Sequence, residues 1–339
     1  MVLMPKDSAK LVAGLAKHVF VEQKGVRKLA STIFEGIKTG KIRPGNNFSQ
    51  VKFHPQGDDP RAADWIFLLD TLNFSFWTET GAKKWTVSGE TGYFAFCAAV
   101  QRAIDEGKPM WDPKYYSQLT HQDVENIFRG DDGETNIPLI QERIKGLHEA
   151  GKVLLDKYQG TFVECIKSCS GSAEKLLKLI VDEFESYRDE ADYEGHRISI
   201  YKRAQILIGD IWASFEGRGL GEFRDIDSIT MFADYRIPQV LVHFGAMRYS
   251  DSLRSKLESD VPLKQGDKEE VEIRACSIEV VEQVSDEVRR LIQADPKLNL
   301  NPSTAVNAIL IDHFLWDYRR EYARELERIP FHKTRTIYY

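Results

Sequence analysis

The chain has 339 residues, 42% of them hydrophobic and 11% aromatic, which is ample for a buried core and too apolar for a chain that stays disordered. A formal net charge of −6 and a pI near 5.8 exclude a protein whose main task is gripping polyanions, because phosphate backbones need clustered Lys and Arg; a small phosphorylated ligand needs only one or two cations. The start "MVLMPKDSAKLVAGLAKHVFV" has no uninterrupted apolar run, and no window approaches the ~20 apolar residues of a membrane span, so the expectation is a cytoplasmic protein with no membrane partner.

In chain order, Leu11, Leu15 and Val19 have helical spacing after Asp7 or Ser8 as N-cap. In "ADWIFLLDTLNFSFW" the continuous run Trp65 to Leu69 and the mixed run Asn73 to Trp77 read as strand, turn, strand, with Trp85 to Val87 as a partner. A helix carrying Phe94, Cys97, Ala98 and Ala103 stops at Gly107 and Pro109. Helices follow at Gln122 to Phe128, at Leu139 to Tyr158, and on the stripe Leu176, Leu177, Ile180 and Phe184.

Ile198, Tyr201, Gln205, Ile208, Trp212 and Phe215 define one face of a further helix that ends near Gly217 to Gly221, with Lys202 at the margin of the buried face and Arg203 pointing away from it. Beyond Pro238 a helix runs to about Met247, and two amphipathic helices span Val271 to Ile292 and Thr304 to Leu326. No internal repeat or long linker is present, so the expectation is one domain over 1–339, mostly α with a small sheet near its N-terminal part and a soft lobe boundary near residue 160.

Few patterns carry chemistry on their own. Cys97, Cys165, Cys169 and Cys276 read as reduced thiols, no CxxC or HExxH occurs, and the histidines are scattered singly, so neither metal nor cofactor is expected. "GETGYF" lacks the spacing of a phosphate loop. The stretch "SITMFADYRIPQVL" is different, because Asp234, Tyr235 and Arg236 interrupt apolar residues just before a helix start. Near that positive end Asp234 should stay ionised, either as a plain helix cap or as an anion aimed at positive charge developing in glycosidic cleavage. Lys202 either snorkels into water or pairs with Asp234 or a substrate phosphate. Phe74, Phe76, Trp77, Trp85, Tyr93 and Phe94 form either an ordinary aromatic core or a stack for a heterocyclic base whose edge Asn73 meets.

The strings "DTLNFSFW", "GYFAFCAAVQRAIDEG", "YKRAQILIGDIW", "SITMFADYRIPQVLVHFGAMRYSD", "EVEIRACSI", "LWDYRR" and "PFHKTRTIYY" resemble the queuosine salvage protein family, the queuosine 5′-phosphate N-glycosylases, from Asp70 to Tyr339. The resemblance implies a mostly helical fold related to helix-hairpin-helix DNA glycosylases. It implies hydrolysis of queuosine 5′-monophosphate to queuine and ribose 5-phosphate, with no metal or organic cofactor. The catalytic aspartate then falls on Asp234 and the essential lysine on Lys202. Substrate contacts are assigned to Asn73, Phe74, Trp77, Tyr93, Tyr235 and Arg236, and Asp70 or Asp317 becomes the partner of the queuine amine. No stable nucleic-acid complex is expected, and the protein should be a monomer; the competing class is a nucleic-acid-binding module that keeps a glycosylase-like fold without catalysis.

Overall fold

The apolar runs become helices. A computed structural model, which describes residues 2–43, 52–55 and 57–339, is mostly α-helical, and its strands form three separate two-stranded antiparallel ladders. The expected single sheet in the N-terminal part is therefore replaced. Val19–Val21 pairs with Met247–Tyr249, Thr86–Val87 with Glu90–Thr91, and Glu190–Tyr193 with His196–Ser199. The second ladder closes through Ser88 and Gly89, both at positive φ, and the Asp131 carboxylate accepts from their two amides.

The largest departure from the sequence reading is Ala62–Thr71, an α-helix rather than a strand, with every residue but Asp64 buried. A helix covered on all sides shows no amphipathic period, so its apolar run looks like a buried strand. Asn73 to Trp77 has no regular structure and pairs with no strand. Val19 and Ile198 lie on strands rather than helices. Ser8 is buried inside Pro5–Leu15, its hydroxyl donating to the Leu3 carbonyl, and does not cap that helix. The helix after Arg236 is only Ile237–His243, and Met247 has already passed into a strand. The helical pattern from Thr304 to Leu326 is broken into Pro302–Ala305, Ala308–Glu321 and Ala323–Leu326, with the Asn307 side chain capping the middle piece.

Two apolar clusters hold the fold. One gathers Ala62–Thr71, Gly92–Asp105, Ile140–Lys157, Ala173–Glu183 and Lys202–Ser214, and it runs across residue 160, since Leu154 and Phe162 both belong to it. The other is built on Lys268–Ala294, against which Pro5–Leu15 and Gln23–Lys38 pack. A Cβ on Gly25 would lie 2.0 Å from the Gly245 backbone, so only glycine lets Gln23–Lys38 pass that close to the chain leading into Met247–Tyr249.

The segment before Asp234 is the seam between the clusters. Ile229 and Phe232 side chains belong to the first, Met231 and Ala233 to the second. Over Met231, Phe232 and Ala233 successive side chains go to opposite sides, as along an extended backbone, and Ile229 lies outside that alternation. Asp234 follows where both cores meet. All four cysteines are buried and unpaired, as expected of reduced thiols. No helix among the described residues is long and apolar enough to cross a membrane.

Candidate active site

A cavity of about 600 Å³ opens at this seam. Its wall includes Asn73, Trp77, Tyr93, Lys202, Asp234, Tyr235, Arg236 and Asp317, drawn from segments far apart in sequence. Of the residues singled out from the sequence, Phe74 does not line it. Its ring is 2% exposed and lies under the guanidinium groups of Arg143 at 4.2 Å and Arg203 at 5.2 Å. Asp70 is also off the wall, fully buried beside Asn73.

Asp234 is oriented by the backbone. One carboxylate oxygen accepts from the amides of Arg236 at 2.8 Å and Ile237 at 2.9 Å, so the residue caps the Ile237–His243 helix and faces the cavity at once. The Ala233 carbonyl just before it accepts from Arg274 Nε at 3.0 Å. Arg274 in turn forms a buried, two-pronged ion pair with Asp189, at 2.9 and 2.6 Å, and the Asp189 carboxylate also accepts from the Lys202 amide at 3.1 Å. A second tie lies one turn further along, where Gln205 exchanges hydrogen bonds with Thr230, 2.7 and 2.8 Å long. The Lys202 helix and the Asp234 loop are thus fixed to each other twice. Both ties are buried, where a satisfied polar network specifies one arrangement.

Lys202 is itself buried, at 5% exposure, rather than marginal. Its ammonium donates to the backbone carbonyl and the side-chain Oδ1 of Asn73, at 3.4 and 3.3 Å. Burial lowers its pKa from the ordinary lysine value, and the negative charge of Asp234, then that of Asp70, opposes the drop. Arg203, next along, does not point to solvent either. It is 1% exposed and donates to the carbonyls of Thr71 and Ser186, with its guanidinium 4.5 Å from the Tyr187 ring centre. An arginine that satisfies backbone carbonyls can be buried on a face that its charge would otherwise exclude.

Asn73 to Trp77 is held as a wall by the segment 331–339. The Ser75 amide donates to the Tyr339 carbonyl at 2.9 Å, its hydroxyl to Thr336 at 2.7 Å, and Trp77 Nε1 to Thr334 at 3.2 Å. Arg335 covers the Trp77 ring at 3.5 Å. Arg143 closes the other side, donating to the carbonyls of Leu72 and Phe74 at 2.5 and 2.6 Å. Tyr93 meets His54, its hydroxyl 3.0 Å from Nε2. Tyr235 packs on Phe331, 5.6 Å between ring centres, and Arg236 stacks on the same ring while pairing with Glu327 at 3.3 Å.

Three further acids crowd this region. Burial pushes Asp312 up to about 8, with the Asp234 charge adding to the effect, while the Phe232 amide at 2.9 Å pulls the other way. Burial likewise raises Asp70 to about 7 and Asp210 well above the carboxylate range. His313, half-buried on the same wall, is lowered by desolvation to about 4 and is neutral at pH 7. Near neutral pH burial therefore favours the protonated forms of Asp210 and Asp312 around Lys202 and Asp234, in a low-dielectric setting where each remaining charge acts strongly.

Asp210, Asp312, His313, His54 and Phe232 were not singled out from the sequence. A helical signal for two of them existed: Lys202, Ile206 and Asp210 repeat every four residues, as do Asp312, Trp316 and Arg320, and all six line the cavity. What the arrangement can do is bury a flat ligand among Trp77, Tyr93, Phe232 and Trp316 while presenting a fixed carboxylate beside an ammonium.

The family model for the queuosine salvage protein matches residues 53–339. The chain is 45% identical over 341 residues to the queuosine 5′-phosphate N-glycosylase/hydrolase of Mus musculus, an alignment covering 99% of each chain. It is 36% identical to the protein of the same name from Schizosaccharomyces pombe, over 98% of this chain and 99% of the relative, and 38% identical to that of Sphaerobacter thermophilus, over 82% and 81%. With a cavity, a carboxylate and an ammonium brought together inside the matched region, the chain belongs to the queuosine salvage protein family.

Proposed function

We propose that this chain hydrolyses the N-glycosidic bond of queuosine 5′-phosphate and releases queuine for salvage. The observation that carries the reading is the convergence of Asp234 and Lys202 on one wall of a ligand-sized cavity, together with the names of the full-length relatives.

Water adds across the bond between the anomeric carbon and the base nitrogen, its hydroxyl going to carbon and its proton to the base. Queuine is a 7-deazaguanine, so the leaving base has no N7 to protonate, and more of the barrier must be lowered at the ribose. Asp234 serves there as the anion that stabilises oxocarbenium-like charge and takes a proton from the attacking water. Its two backbone donors fix it before the charge develops, so little reorganisation is needed. Lys202 keeps the neighbouring field positive and favours the ionised form of the carboxylate. Trp77 stacks on the base with Asn73 at its polar edge, while Tyr93, Tyr235 and Arg236 complete the substrate contacts. Asp317 pairs with the cationic amine of queuine, a role for which it has the position on the wall that Asp70 lacks.

The same reading carries a DNA-glycosylase-like core, a single domain, a cytoplasmic monomer without cofactor, and no stable nucleic-acid complex. The test is incubation with queuosine 5′-monophosphate beside plain purine nucleotides, followed by chromatography. Free queuine from the first and no base from the controls is the expected outcome. Base release from every nucleotide, or from none, overturns it.

A further inference from the structure

Two carboxyl groups, Asp210 on the cavity wall and Asp70 behind it, are not reactants in the proposed cleavage. Asp70 stands near the end of Ala62–Thr71 with 0% exposure, and one of its oxygens accepts from Asn73 Nδ2 at 3.1 Å. Its other oxygen has no ordinary donor; the group that faces it is the carboxyl of Asp210. Two carboxyl groups hydrogen-bond only when one of them carries a proton, and the buried pair therefore holds one.

The direction of the Asn73 amide follows from its two neighbours. Asp70 as a carboxylate only accepts, so it must face the amide nitrogen; Lys202 only donates, so it must face the amide oxygen. Both ends demand the same orientation. The result is a chain of hydrogen bonds from Asp210 through Asp70 and Asn73 to the Lys202 ammonium. Lysine is a point charge on a flexible stem, and without two fixed oxygens before it nothing in that chain would set its direction.

We propose that Asp70 is a positioning residue for the glycosidic reaction, acting through Asn73 to hold the Lys202 ammonium toward Asp234, with the Asp210 carboxyl fixing Asp70. The role rests on the reading of Asp234 and Lys202 as the groups that serve cleavage. It accounts for why Asn73, on the cavity wall, spends one amide hydrogen and one carbonyl lone pair on protein partners. It also accounts for acids at 70 and 210 in a region that apolar side chains would fill at lower cost.

The test compares kcat and KM for queuosine 5′-monophosphate in the wild type, Asp70→Leu, Asp70→Asn, Lys202→Met and the double variant Asp70→Leu with Lys202→Met. Misdirecting one group by about an ångström costs on the order of 10²-fold, so Asp70→Leu is expected to lower kcat by roughly 10–10²-fold with KM little changed. Asp70→Asn should recover most of that loss, because its amide oxygen still accepts from Asn73 and its nitrogen donates to Asp210. Adding Asp70→Leu to Lys202→Met should cost nothing more. In parallel, NMR titration of 13C-labelled lysines, with Lys202 assigned by its absence in Lys202→Met, should show a lower Lys202 pKa in Asp70→Leu. That arm needs no turnover, so it still decides the positioning role if the substrate assignment fails. Should Asp70→Leu not fold, Asn73→Ala is read the same way. An unmoved Lys202 titration, or losses that multiply in the double variant, overturns the proposal.

Discussion

Asp312→Asn gives the sharpest test of the site's electrostatics. The side chain is 5% exposed, and its Oδ1 accepts from the Phe232 amide, a bond that an asparagine oxygen keeps. Only the ability to ionise is removed. Burial raises Asp312 from 3.8 to about 8. For a group raised on folding, the native state binds the extra proton, so its stabilising share is complete below the unfolded pKa and is lost as pH climbs through the folded one. At ~1.4 kcal/mol per unit, the wild type should lose roughly 4 kcal/mol between pH 5 and pH 8 through this residue, and the variant should not. Asp70 contributes the same trend to both proteins, and Asp210, raised mainly by burial and only in lesser part by the Asp312 charge, contributes nearly the same. Urea unfolding at pH 5, 6.5 and 8 measures it. The variant's stability relative to the wild type should rise by roughly 4 kcal/mol from pH 5 to pH 8; parallel curves across that range would refute the placement of a neutral acid there.

Trp77→Ala should weaken queuine binding by ~1–3 kcal/mol in calorimetry, the range for stacking of bases on aromatics, and full affinity would return the ring to its role under Arg335. Asp317→Asn should weaken queuine more than a deazaguanine lacking the aminocyclopentenediol, and equal losses would remove Asp317 as the amine's partner. Gly209→Ala places a methyl 2.5 Å from Phe232 Cζ, so it should destabilise by ~1–3 kcal/mol and reduce turnover as the ring shifts toward the cavity. Unchanged melting and kinetics would show that the ring yields freely.

Much of the helical architecture was legible because amphipathic segments such as Ala173–Glu183 announce their period. Ala62–Thr71 was not, since burial on all sides erases the period. The charged residues Asp234 and Lys202 stood out against apolar neighbours, and the structure places both on one cavity. Arg203 and Phe74 were misplaced for a shared reason: a buried guanidinium satisfied by carbonyls over an aromatic ring is a three-dimensional solution that local pattern cannot show. Asp210 and Asp312 were missed because a single acid in an apolar helix reads as a tolerated polar residue until the facing elements are known. Their environment, with Lys202 and Asp234 nearby, is assembled by segments far apart in the chain, such as Lys202–Ser214 and Ala308–Glu321.

The central claim, that Asp234 supplies the charge for cleavage, is tested most directly by single-turnover release of queuine from queuosine 5′-monophosphate in wild type and Asp234→Asn. The asparagine oxygen can still accept from the amides of Arg236 and Ile237, so the helix start and the fold should persist, as circular dichroism would report. Loss of one preorganised electrostatic group lowers rates by ~10²–10³, and at least that drop is expected in a folded Asp234→Asn protein. Release from the folded variant at close to the wild-type rate would contradict it.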